Sequence, residues 1–251
     1  MSERQIVGAG TPEAVWQSWP GLHQLPHTKL LDLVPQAART VVISPHPDDE
    51  ILATGGLLAM LALQRQRVCV VAVTDGDASH PGSIRWPAPL LAVQRRAESL
   101  KGLALLGLAP QIRRALEVPD GKVRTHMPSL IAWLKTFLRA DDVVLSTWAL
   151  DGHPDHEATA QATAIACASL GARHIQVPVW MWHWGSPADA RVPWRRMVRL
   201  QLSVDAFHRK KLALAAHRTQ LEAQDTGRVA VLEPTSTARM LRSCEFFILP
   251  G

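Results

Sequence analysis

Along this chain, short apolar blocks alternate with longer segments of mixed polarity. "RTVVIS" at 39–44 and "VCVVAVT" at 68–74 are β-branched apolar blocks bounded by charged or turn residues, which predicts strands covered on both faces. Residues 50–66 between them have the length of a helix, so the three segments form a βαβ unit with a right-handed crossover. The order repeats with a helix over 89–107 ending at Gly107, a short strand over 112–117 and a helix over 122–139. Next come a strand at "DDVVLST", a helix that starts after His156 and stops at Gly171, and a strand at "HIQVPVW". Beyond residue 180 the alternation weakens into the loop "WMWHWGSPADARVPW", a strand "MVRLQLSV", an amphipathic helix "DAFHRKKLALAAHRTQL" and a last strand "CEFFIL". The prediction is an α/β fold: a Rossmann-like, doubly wound, mostly parallel sheet with helices on both faces. It forms one domain over 39–251, ending in a helix and strand extension. The first 38 residues, with prolines at 12, 20, 26 and 35, are expected to be an irregular lead-in packed on it.

Composition narrows the partners. A chain of 251 residues with 47% hydrophobic content can bury one large core. The net charge of +5 comes from scattered basic pairs such as Arg95-Arg96, Arg113-Arg114 and Lys210-Lys211, without the dense aromatic-studded stripe that nucleic-acid binding uses. No nucleic-acid partner is expected. Cys69, Cys167 and Cys244 are far apart and odd in number, which predicts buried thiols in a reducing compartment. The N-terminal stretch has no apolar signal-like core, and the longest apolar run, "ILATGGLLAMLAL", is too short to span a bilayer. A cytoplasmic protein without a transmembrane segment is therefore expected, and a homo-oligomer is left open.

The chemistry concentrates where strands run into helices. "PHPDDE" at 45–50 places His46, Asp48, Asp49 and Glu50 between a strand and a helix, in a spot where three adjacent carboxylates resist burial. A helix cap accounts for one of those acids at most. "DGHPDH" at 151–156 has the same grammar: a strand, a short loop, then histidines and an aspartate opening a helix. In open α/β sheets ligands bind beyond the carboxyl ends of the strands, and two such clusters on one sheet edge point to a metal site. With no thiolate nearby, the donors are imidazole and carboxylate, a set that suits zinc or another divalent first-row metal. His46, Asp49 and one of His153 or His156 would supply three ligands, leaving Asp48 and the other histidine for acid/base work.

"PHPDDE" before a helix with a Gly-Gly pair, "TDGDASH" after the second strand and "DGHPDHEATA" after a later one resemble the PIG-L/LmbE-like family of zinc-dependent de-N-acetylases. The likeness covers roughly residues 39–180, and more weakly "AAHRTQ" near 215–220. It implies one Zn2+ per chain held by His46, Asp49 and His156, with Fe2+ as the alternative metal in the cell. It also implies Asp48 as general base, and His153 as the cationic partner that opposes charge on the developing oxyanion and can protonate the leaving amine. The implied activity is hydrolysis of the N-acetyl group of an N-acetylglucosamine-type conjugate. Arg95 and Asp120 resemble positions that contact sugar hydroxyls. Glu50 is expected at the helix start or orienting a ligand, and His80 and His217 in packing or surface roles.

Nine Trp with no Tyr are unusual, and "WMWHW" would put Trp180, Trp182 and Trp184 on one face if extended, either as a sugar platform or as core filling. Three other readings compete with the deacetylase. An amidase for a larger acyl or thiol-conjugate side chain would use the same metal, whereas a silent sugar-binding module would be expected to lack Asp48 or a ligand. A dinucleotide-binding protein needs a glycine-rich loop after the first strand, where this chain carries acids.

Overall fold

The computed structural model describes residues 4–251. Eight strands form one sheet: β1 (His27–Thr28), β2 (Arg39–Ser44), β3 (Val68–Ala72), β4 (Arg113–Ala115), β5 (Asp142–Thr147), β6 (Arg173–Val177), β7 (Met197–Gln201) and β8 (Cys244–Ile248). Their order is β1-β7-β8-β6-β5-β2-β3-β4. Five pairings are parallel, and β8 runs antiparallel to both β6 and β7. The helices are α1 (Glu13–Ser18), α2 (Pro20–Gln24), α3 (Leu30–Leu33), α4 (Asp49–Leu63), α5 (Ala88–Leu105), α6 (Val123–Phe137), α7 (Pro154–Leu170), α8 (Met181–Trp184), α9 (Val204–Ala215), α10 (Arg218–Leu221) and α11 (Pro234–Met240). The sheet is mixed and mostly parallel, with helices on both faces, as the alternating pattern predicts.

Successive residues of β2 divide the core in two. Val42 joins the layer containing α4 and α9, whereas Val41 and Ile43 join the layer under α6 and α7. α4 is buried on nearly every side, because the sheet lies beneath it and α9 beside it. Its glycine pair permits this closeness: a Cβ on Gly56 would come within 2.4 Å of the Leu202 side chain, and one on Gly55 within 3.2 Å of Lys210.

Several segments differ from expectation. The lead-in is not irregular throughout: it carries α1, α2 and α3, and β1 pairs in parallel with β7 at the sheet edge. Its prolines start helices, since Pro12 caps α1 and Pro20 opens α2, a position that needs no amide hydrogen. The strand read over 174–180 ends at Val177, before Pro178, which has no donor for a ladder. The Trp-rich segment is helical at α8, so the three indoles do not share an extended face. Trp182 is buried against Trp16 and Phe246, Trp184 stacks on Trp148, and only Trp180 reaches the cavity described below. The helix over 205–221 is two, parted at Ala216 and His217. The helix after β5 starts at Pro154 rather than past His156. Cys69 and Cys167 are buried and Cys244 half-buried; all three are free. Among the described residues no helix is long and apolar enough to cross a membrane.

Candidate active site and metal centre

β2 and β5 are neighbours in the sheet although the chain leaves β2 for β3 on the other side. A crevice opens at such a reversal of strand order, beyond the carboxyl ends. Both charged clusters sit there, the first entering α4 and the second entering α7. His46, Asp48, Asp49, Arg95, Asp120 and His153 line one cavity of about 280 Å³, together with Trp180, Gln220 and Leu232. His156 lies behind its wall, fully buried.

The loop from β2 is tightly bonded. The His46 amide and ring Nδ1 lie 3.0 and 3.2 Å from Asp49 Oδ2, and the amide of Asp48 donates to Glu50 Oε2 at 3.1 Å. Ser44 Oγ and Ser99 Oγ also donate to the Glu50 carboxylate, at 2.9 and 2.6 Å. Asp48 itself holds φ 158° and ψ −28°, a conformation L residues rarely adopt and one these bonds impose. Glu50 therefore acts on the backbone of Asp48, within the first turn of α4.

Asp49 Oδ2 also lies 3.2 Å from His156 Nε2. His156 Nδ1 is 2.8 Å from Asp151 Oδ2, so the ring donates there and turns Nε2 toward Asp49 and His46. That Nε2 atom is buried and makes no hydrogen bond. Ring nitrogens of His46, His153 and His156 lie within 4.8 Å of one another. An orphaned imidazole nitrogen, a second imidazole and a carboxylate oxygen common to both fit a divalent metal, with zinc suited by donor type. His46, Asp120 and Asp155 are equally close to one another. Asp120 Oδ2 accepts from the Ala78 amide at 2.9 Å, and Asp155 accepts from Gly121 and Val123. They serve as acceptors on the far side of His46, 3.2 and 3.5 Å from its Nε2.

Arg95 does not face solvent: it is 3% exposed, with its guanidinium 3.0 Å from Asp48 Oδ2 and bonded to the carbonyls of Gly76 and Pro47. Gly76, at φ 65°, makes room for it, since a Cβ there would stand 1.9 Å from Arg95 Nη1. Burial pushes the Asp48 carboxyl up to about 7, although the Arg95 charge pulls it down. Burial also works on Asp49, but His156 and His46 outweigh it and hold that carboxyl below the ordinary range. For His156 burial is outweighed by Asp49 and Asp151, which lift it to about 9. His153 is the reverse case: burial, then the charges of His156 and His46, push it down to about 3. Burial and these neighbours favour the neutral form of His153 over the cationic one. Its Nδ1 accepts from the Asp155 amide at 3.2 Å, which leaves the proton on Nε2.

Sequence reasoning missed Asp151, Asp155 and Gln220 as members of this site. Asp151 lies in the same "DGHPDH" stretch, five residues before the histidine it holds, and that spacing was the available signal. His80 and His217 are buried, which agrees with the packing role expected of them and not with a surface one.

Residues 41–167 match the family model described as PIG-L, GlcNAc-PI de-N-acetylase. A 1D-myo-inositol 2-acetamido-2-deoxy-alpha-D-glucopyranoside deacetylase of Corynebacterium diphtheriae is 28% identical, over 74% of this chain and 78% of the relative. Among solved structures, the A40926 pseudoaglycone deacetylase Dbv21 is 25% identical with a TM-score of 0.60, covering 74% of this chain and 84% of that one. The conserved protein TT1542 of Thermus thermophilus shares the fold at a TM-score of 0.60 and 20% identity, over 85% of this chain and 95% of that one.

Proposed function

Because the chain belongs to the GlcNAc-PI de-N-acetylase (PIG-L) family, we propose that it is a metal-dependent hydrolase releasing acetate from an N-acetylglucosamine-type amino-sugar conjugate. The observation that carries this reading is the unpartnered His156 Nε2, turned by Asp151 toward Asp49 and His46 beside a separate carboxylate, Asp48. His46, Asp49 and His156 would hold one Zn2+ per chain, which supplies Lewis acidity toward the acetyl carbonyl and lowers the pKa of water from about 15.7 to about 7.

The chain's own groups do the rest. Asp48 is tied to Arg95 and not to the ligand set, and a carboxyl raised to about 7 is suited to taking a proton from the attacking water near neutral pH. His153, neutral with its proton on Nε2, donates to the oxygen on which negative charge develops. One such donor is typically worth about 3 kcal/mol. The nitrogen that leaves needs a proton, and Asp48, having taken one, can return it. Asp120 orients His46 at the cavity wall, and it is the group there assigned to sugar hydroxyls, with Arg95 holding Asp48 behind it. A cavity of about 280 Å³ takes a sugar ring and leaves the rest of a conjugate outside.

The test is acetate release by purified protein over a panel of N-acetylglucosaminyl conjugates, with metal analysis of the same sample. Acetate and free amine in equal amounts at one metal per chain is the expected result. Metal-loaded protein that releases no acetate from any member would overturn the reading.

A further inference from the structure

Asp151 is fully buried in the loop between β5 and α7, and its carboxylate gathers donors from two directions. From one side comes His156 Nδ1, 2.8 Å from Oδ2. From the other come three successive backbone amides of the turn after β6: Trp180 at 2.9 Å to Oδ2, and Val179 and Met181 each at 3.0 Å to Oδ1. Trp184 Nε1 donates to the Asp151 backbone carbonyl at 2.6 Å. A carboxylate enclosed by three consecutive amides is fixed in position, because moving it strands buried donors. The same turn presents Trp180 to the catalytic cavity.

We propose that Asp151 is a positioning residue that couples His156 to the Trp180 wall, so that the metal-ligand set and the substrate wall are ordered by one carboxylate. The proposal rests on the metal site described under Proposed function. Two consequences follow from the bonding. The Asp151 bond takes His156 Nδ1, so Nε2 is the nitrogen turned to the other ligands, and partners of this kind typically contribute about 10- to 100-fold to metal affinity. The wall and the ligand share a hinge point, so loosening the turn at Trp180 weakens metal binding although no residue of the turn is a ligand.

The experiment measures the Zn2+ dissociation constant by competition with a chromophoric chelator, which needs no turnover. In Asp151→Asn the side-chain amide cannot accept at both oxygens, and if its NH2 faces His156 the ring must accept at Nδ1 and carry its proton on Nε2. The dissociation constant should rise by about 10-fold or more. A second pair reads the other end of the coupling and does not depend on that variant folding. Trp180→Ala keeps the amide that donates to Asp151. Trp180→Pro removes it, at a residue whose φ of −78° suits proline. Zn2+ should bind several-fold more weakly to Trp180→Pro than to Trp180→Ala. Wild-type affinity in Asp151→Asn, or equal affinity in the Trp180 pair, would overturn the proposal. Wild-type protein that binds Zn2+ but releases no acetate would instead remove the functional reading and leave this inference standing.

Discussion

Two buried charge clusters meet the same helix, α4, and they are built in opposite ways. Halfway along, Glu245 accepts from the amides of Gly56 and Leu57 at 2.7 and 2.8 Å and from Lys210 Nζ at 2.7 Å, while Lys210 also donates to the Leu52 carbonyl at 2.8 Å. Neither side chain has an orphaned atom. At the N-terminal end, the cluster of Asp48, Asp49, His46 and His156 is incomplete: His156 Nε2 lies 3.2 Å from Asp49 Oδ2 yet makes no hydrogen bond, and Arg95 Nε beside Asp48 makes none either. Burial costs both clusters desolvation. The closed one spends its pairing on fixing β8 and α9 against the helix. The open one leaves a donor set pointed at a cavity, and that difference separates a structural pair from a chemical site.

The largest effect expected is at the open cluster. His156→Ala should remove most of the bound metal and the activity with it, while the fold, read by its unfolding midpoint, persists. Full metal occupancy in that variant would take His156 out of the ligand set and make His153 the better candidate. The closed cluster should respond the other way. Lys210→Met leaves Glu245 buried with only its two amide donors, and breaking a buried pair by removing one partner costs about 3 to 5 kcal/mol. Denaturant unfolding should show that loss while metal content stays at the wild-type level. Loss of metal in Lys210→Met would mean that the two clusters are not independent.

A finer distinction lies between the partners of Asp48. Burial raises its carboxyl and Arg95 opposes that rise, so Arg95→Gln should raise it further. A general base works deprotonated, and activity therefore climbs as pH rises through its pKa. The acidic limb of kcat/KM should accordingly move to higher pH in Arg95→Gln, and an unmoved limb would assign it to another group. The smallest effect belongs to His174, outside both clusters on β6, where burial pushes the ring down to about 4 and Nε2 meets Ser146 Oγ at 2.8 Å. The unfolded chain then takes up the proton first, from about pH 6.5. This contribution is constant above that pH and declines as pH falls toward 4, so His174→Gln should flatten the fall in stability between about pH 7 and 5.

How much of this was legible in the sequence follows from the range of each interaction. The strands β2, β3 and β5 announce themselves as β-branched blocks, and the open cluster could be read because its members come in two short runs, 46–50 and 151–156, each at a strand's end. The closed pair could not, since Lys210 and Glu245 are 35 positions apart and their other partners are a backbone carbonyl and two backbone amides. Arg95 and Arg96 look alike as neighbours, yet one turns inward to Asp48 while the other pairs with Asp75 and Glu117 at the surface. The Trp-rich run has a strand's alternation, but Arg242 over the Trp182 ring and Trp16 at its edge reward a helical turn there instead. His153 was expected to carry charge, but its burial beside two other rings and its acceptor bond from Asp155 favour the neutral form, and those contacts are not visible in the sequence.

If Asp48 transfers the proton beside a metal it does not bind, Asp48→Asn separates the two roles, because the amide keeps the shape and removes the proton acceptor. Metal content and kcat should be measured on the same preparation. One metal per chain is expected, as in the wild type, with kcat lower by about 10²-fold or more. Loss of the metal would make Asp48 a ligand, and near-normal turnover at full metal content would show that another group takes the proton, with Glu50 the first to examine.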